Sequence, residues 1–344
     1  MSGRLKGVLP LAVVLVALGG CAAYAAPKTD IVVLNNGDRL TVEIKTMSRG
    51  RLTVKTDALG TPNVDWGDVV GLQSSRSYEI EVTDGRRYYG ALVEGVRSHV
   101  LVRGLLGTPT DLVLLDIVRL TPLGASFWSR LDGNLDAGFN FTSASEQTQW
   151  TLNTSVEYRK RAFLNRASLS SQLTKLEANS QTRNNLNLSS QRFLKNRWFT
   201  GGVGQFLQDE SLDLDLRSVL GAIVGRYLTQ SNHTTFSLFT GGGYTLEHYA
   251  GSAAESSFEV LAGGDWEWFS PASSSIDFSS TVISYFNVGT RARARIEFST
   301  SLKRELFKDF YWNVSGFDSY DGAPPTETQK KNDFGITLSV GYSF

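Results

Sequence analysis

The chain has 344 residues, 34 Lys+Arg against 34 Asp+Glu, 41% hydrophobic and 20% charged residues. Zero net charge leaves no basic surface for nucleic acid. A single Cys excludes a disulfide framework, and three His leave little for an imidazole metal site. The 33 Gly and two Met disfavour both a helical membrane protein and a disordered chain.

The first predicted element is for targeting. Arg4 and Lys6 precede an apolar run from Val8 to Leu18, too short to span a bilayer and of the form of a secretory signal peptide. Ala23-Tyr24-Ala25 predicts cleavage after Ala25, which makes residues 1–25 the signal peptide. Leu18-Gly19-Gly20-Cys21 has the form of a bacterial lipobox, which would instead leave Cys21 as a lipid attachment site. Under either cut the chain leaves the cytoplasm.

Residues 26–74 and 75–124 read as two copies of one β-repeat facing the periplasm. Leu34-Asn35-Asn36-Gly37-Asp38 aligns with Val82-Thr83-Asp84-Gly85-Arg86 at an offset of 48, as do Ile44 with Leu92, Val54 with Val102 and Asp68 with Asp116. Coincidence of turns, strands and spacing indicates duplication. Asn-Gly and Asp-Gly between alternating runs signal hairpins, so each copy suits a small SH3-like or Sm-like β-domain. The pair carries twelve basic and twelve acidic residues from Lys28 to Arg119, which gives it no electrostatic bias. Trp66 reads as a core residue and His99 as a surface one.

Residues 125–344 alternate apolar with polar or small side chains over segments of ten or more, which is strand periodicity at bilayer-spanning length. Twelve such segments centre near Leu135, Leu152, Leu169, Leu188, Val203, Leu220, Phe239, Ala262, Thr281, Ile296, Val314 and Leu338. An even count closes an antiparallel transmembrane barrel, so the fold class is all-β. Aromatic residues at one set of segment ends (Phe163, Phe193, Trp198, Phe199, Trp268, Phe269 and Phe307 to Trp312) read as an interfacial girdle. Val340, Tyr342 and the terminal Phe344 have the form of the signal read by the outer-membrane barrel assembly machinery. With its signal peptide, Gly-Asp-punctuated repeats and barrel ending Gly-Ile-Thr-Leu-Ser-Val-Gly-Tyr-Ser-Phe, the chain resembles the YdiY-like family of salt-induced outer-membrane proteins. The resemblance implies fold and location, in contact with outer-membrane lipid, and brings no site residues.

No catalytic residue, metal site or cofactor is expected. His233 is followed by Thr234-Thr235 and His248 by Tyr249-Ala250, so neither supplies the His-x-Ser spacing of an outer-membrane lipid hydrolase. Candidate site residues are instead the charges that alternation points into the lumen. These are Arg291, Arg293, Arg295 and Glu297 on one strand, and Asp213, Asp215, Glu259, Asp265 and Glu267 elsewhere. Mixed signs favour pairing across the interior, hence a structural or envelope-stress barrel with a constricted lumen. The alternative is a narrow diffusion channel for small solutes. On the first reading residues 26–124 serve contacts with a periplasmic or cell-wall partner. Intact-mass measurement of the mature protein should show Ala26 at the N-terminus; a diacylglyceryl-modified Cys21 would overturn that assignment.

Overall fold

The computed structural model describes residues 28–104, 108–124, 127–142, 147–160, 162–176, 179–270, 275–289, 293–307, 309–324 and 331–343. The signal segment with Cys21, and also Arg291 and Phe344, lie outside the described residues. The N-terminal part contains β1 (Asp30–Leu34), β2 (Arg39–Ser48), β3 (Arg51–Lys55), β4 (Asn63–Asp65), β5 (Val69–Val82), β6 (Arg87–Glu94), β7 (His99–Arg103), β8 (Thr110–Val113) and β9 (Ile117–Pro122). Its elements recur at the offset of 48. The 3-10 turn Trp66–Asp68 precedes β5, and Leu114–Asp116 precedes β9. Asn35 N donates to Asp68 O at 2.8 Å, and Thr83 N to Asp116 O at 2.9 Å.

The two copies do not form separate modules. The end of the first and the start of the second share the continuous strand β5, with a register shift between Ser74 and Ser77. β9, the last strand of the second copy, pairs with β2 of the first through Met47↔Leu120 and Ser48↔Arg119. One core results, with Val42, Ile44, Leu52, Trp66, Ile80 and Val100 from both copies in a single buried cluster. Trp66 is a core residue, and its indole Nε1 donates to Leu114 O at 2.8 Å. Leu114 stands 48 residues after Trp66, the offset that also relates the two 3-10 turns. His99 is half-buried, with Nδ1 3.1 Å from Asp111.

Twelve antiparallel strands then close into a barrel. They are β10 (Leu131–Thr142), β11 (Gln147–Arg159), β12 (Phe163–Leu176), β13 (Asn179–Phe193), β14 (Trp198–Asp209) and β15 (Leu214–Gln230), followed by β16 (Thr234–Tyr249), β17 (Glu255–Ser270), β18 (Ile276–Asn287), β19 (Ala294–Phe307), β20 (Phe310–Asp321) and β21 (Asn332–Ser343). Every predicted segment centre falls in its own strand. The strands are longer than the ten or so residues expected, reaching 17 in β15. Glu247 lies within β16 and Arg183 within β13. Pairing Ala137↔Val340 and Leu135↔Tyr342 joins first strand to last.

Alternation sorts the wall into two faces. Outward stand Leu220, Phe258, Phe334, Ile336, Leu338 and Val340, an exposed apolar belt in which Ile336 reaches 77%. Inward stand Val203, Val219, Leu261 and Tyr285, which cluster along one side of the wall from β14 to β18 and settle the phase of the Gly-rich β14. Glycine permits this packing where strands approach most closely. A Cβ on Gly241 would overlap the Ala222 carbonyl oxygen, whereas one on Gly242 would meet only Glu259 O at 3.9 Å. Gly241→Val should therefore abolish the heat-modifiable gel mobility of the folded barrel, and Gly242→Ala should retain it.

Candidate functional site: the lumen and its two ends

Inward positions build three tiers along the barrel. The tier at the far end, away from the N-terminal part, is a network of arginines and carboxylates. Arg217 Nε lies 2.5 Å from Glu247 Oε1, and Arg293 Nη1 lies 2.6 Å from Glu247 Oε2. Arg293 also holds Asp321, and Arg217 Nη2 lies 3.2 Å from Tyr249 Oη. Arg295 Nη2 bonds Glu259 Oε2 at 2.6 Å, and the same oxygen accepts from Thr245 Oγ1 at 2.6 Å. Arg183 joins Asp209 at 3.0 Å and Asp333. Such pairing sets four guanidiniums against five carboxylates at this end of the lumen. Without partners, buried ions there would each cost several kcal/mol.

The expected lumen charges thus divide. Arg293, Arg295 and Glu259 meet in the far tier. Glu297 stands below them and accepts from Gln205 Nε2 at 2.7 Å across the barrel. Asp265 accepts from Thr281 Oγ1 at 2.9 Å. Glu267 sits at the opposite end, 3.7 Å from Arg166. Asp213 and Asp215 do not line the lumen: both are exposed at the far rim. Asp213 has φ of +51° at the end of the 3-10 turn Glu210–Leu212, and the register shift between Leu214 and Leu216 breaks the alternation that would carry these acids inward. Val340 and Tyr342 face outward, as an alternating C-terminal strand requires.

The near tier contains the contact that alternation did not reveal. Here the N-terminal part seats on the barrel mouth. The β2–β3 turn, Arg49-Gly50, has positive φ at both residues (51° and 69°). That is the backbone of a type I′ turn, where Asn or Gly is the usual choice at the first position. Arg49 occupies it and reaches into the mouth, 3.4 Å from Glu267 Oε2, with its guanidinium 5.9 Å from the Phe269 ring centroid. Arg51 pairs with Asp277 at 2.9 Å. Arg166 closes the near tier by bonding Glu157 at 2.8 Å. On the other side of the mouth Arg159 bonds Glu81 at 2.6 Å, and Gln230 donates to the same carboxylate at 3.3 Å. Asn232 Nδ2 donates to both Leu115 O and Ile117 O at 3.0 Å.

This docking corrects the reading of the aromatic row. Phe163, Trp198, Trp268, Phe307 and Phe310 are exposed on the outer face. Phe199, Phe269 and Tyr311 are buried and point inward instead. Phe193 joins them, with the guanidiniums of Arg159 and Arg87 over its ring at 4.4 and 4.9 Å. Four of the ten rings of the apparent girdle thus turn inward, and two of them, Phe193 and Phe269, meet arginines of the N-terminal part. The Asp-Gly spacing of the repeats gave no hint of it, because a contact between distant segments has no local period.

Glu81 has the most informative electrostatics of the contact. Burial alone would raise its pKa, but Arg159, Arg87 and Arg119 around it win and hold it down at about 2. A carboxylate depressed on docking contributes stability at neutral pH that is lost as pH falls from the ordinary carboxylate range towards 2. Hydrogen exchange of the full chain should therefore show the docked face protected at pH 7 and progressively released in that acid window. In Glu81→Gln, which strands a buried guanidinium at a cost of about 3 kcal/mol, protection at pH 7 should fall and the acid step should shrink. Equal protection in both proteins would remove Glu81 from the contact.

A family profile described as "Protein of unknown function, DUF481" matches residues 135–344. No curated protein matches the chain. Among solved structures, the NanC porin is 13% identical with a TM-score of 0.37, covering 62% of this chain and 98% of that one. The translocator domain of the autotransporter NalP from Neisseria meningitidis is 15% identical with a TM-score of 0.32, covering 62% of this chain and 86% of that one. A porin refined at 1.8 Å resolution is 8% identical with a TM-score of 0.28, covering 62% and 99%. Likeness at this level supports no inference about activity. The profile spans more than half of the chain, from β10 to the last residue, and agrees with the YdiY-like resemblance of that segment: the chain belongs to the DUF481 family of proteins of unknown function.

Proposed function

We propose that the protein is an outer-membrane β-barrel held shut at both ends, with its N-terminal domain in the periplasm acting as a plug. The observation that carries this reading is Arg49, held in a left-handed turn conformation and aimed at Glu267 in the barrel mouth. Strain of that kind persists where surrounding contacts reward it. The apolar belt and outward aromatic rings suit a lipid-facing wall. With the domain end periplasmic, the Arg217–Glu247–Arg293–Asp321 network faces the outside and closes the lumen there. On this reading the role is structural, in envelope integrity under stress, rather than open diffusion.

Planar-bilayer recording from refolded full-length protein tests the reading. The wild type should give low conductance. Arg49→Ala combined with Arg51→Ala should raise it several-fold while gel mobility stays that of a folded barrel, and adding Arg293→Ala should raise it further. Large ohmic wild-type currents that the substitutions leave unchanged would decide for the diffusion channel.

A further inference from the structure

Between the two ion-paired tiers lies a chamber of about 330 Å³, whose lining includes Arg183, Arg166, Phe239, Tyr285, Asp265 and Glu297. Its charges do not balance. Arg183 is taken by Asp209 and Asp333, and Arg166 by Glu157 and Glu267. Arg295, just outside it, pairs with Glu259 through Nη2, and its Nε and Nη1 are buried without a hydrogen-bond partner. Asp265, Glu297 and Asp318, which also lines the chamber, make no ion pair among the described residues, and the first two are half-buried.

The hydrogen-bond inventory leans the same way. Glu297 Oε1, Asp318 Oδ1, Gln205 Oε1 and Asn185 Oδ1 are buried without a partner, and all four residues line the chamber. Gln205 is 7% exposed. Its amide nitrogen is committed to Glu297 Oε2 at 2.7 Å, which fixes its oxygen as an acceptor. Buried acceptors without donors are rare unless something fills the space. A hard divalent metal suits oxygen ligands but needs six or more at one point. Among the described residues no group of three or more carboxylates, Cys or His gathers to hold a metal.

The carboxylates are spread apart instead. Asp265 lies opposite Thr281, and Thr281 opposite Ser299, with Glu297 one inward position further along β19. That places their backbones two strands and two residues apart, about 12 Å at ordinary strand spacing and rise. The lining offers the apolar surface of Phe239, Leu261 and Ile283 beside them.

We infer that the chamber binds a small organic dication with N–H donors at both ends, of the alkyl diamine class. Ammonium groups would answer Asp265 and Glu297 and supply donors to Gln205 and Asn185, with the methylenes against the apolar wall. The inference rests on the enclosed lumen of the proposed function. Equilibrium dialysis of labelled 1,4-diaminobutane against refolded full-length protein, incubated to constancy, should show one saturable site. Glu297→Gln and Asp265→Asn should each weaken binding at least about tenfold, the loss expected for one charge-assisted hydrogen bond. Glu255→Gln, an exposed change at a strand end, should not.

Should the lumen variants fail to fold, the wild type still decides. 1,4-Butanediol, isosteric but uncharged, should not displace the diamine, and neither should calcium. Absence of a saturable site, unchanged binding in both lumen variants, or displacement by the diol or by calcium would overturn the proposal. Conductance separates the two readings. Current that rises on loss of Arg49 and Arg51 without diamine binding removes the chamber site alone, and saturable binding in a barrel already open removes the plug alone.

Discussion

Pairing of the ions that face one another inside the barrel is the constraint on which most of this structure depends. A twelve-stranded barrel brings inward-facing ions within reach of one another, and each ion must find an opposite charge or a hydrogen-bond partner before the wall closes. The far tier meets the demand within the barrel, by crossing from β19 to β16 and β20. The near tier meets it partly with arginines that belong to another domain. The two domains are therefore one electrostatic object, and the N-terminal part completes the barrel as well as preceding it.

The N-terminal domain itself solves a size problem. Each copy of about 45 residues is too small to bury much apolar surface alone. Sharing β5, crossing β9 onto β2 and bonding Trp66 to Leu114 merge two thin sheets around one core. The same arrangement leaves the β2–β3 hairpin projecting from one side, free to carry Arg49 to the barrel.

Much of this was legible in the residue order because strand alternation is local. The strand centres, the outward belt of β21, the buried Trp66 and the inward Arg293, Arg295 and Glu259 all follow from period two. Alternation fails where a bulge resets it, as at Asp213 and Asp215. It is also silent about partners. Phe199 and Phe269 look like membrane-facing rings because an aromatic residue at a strand end fits either face. Glu81 and Arg159, 78 residues apart in the chain, carry no mark of their pairing. What the order of residues withheld was the docking of one domain on the other.

The connection between the domains has a kinetic consequence. From Pro122, the end of β9, to Leu131, the start of β10, only eight residues intervene. Even fully extended they span no more than about 30 Å. A domain on so short a leash returns to its seat as an intramolecular event, at an effective concentration in the millimolar range or above. Contacts too weak to recruit a free partner from solution suffice here, and each opening would be brief. Because β9 pairs with both β2 and β5, any pull along that leash is shared at once by both copies of the repeat.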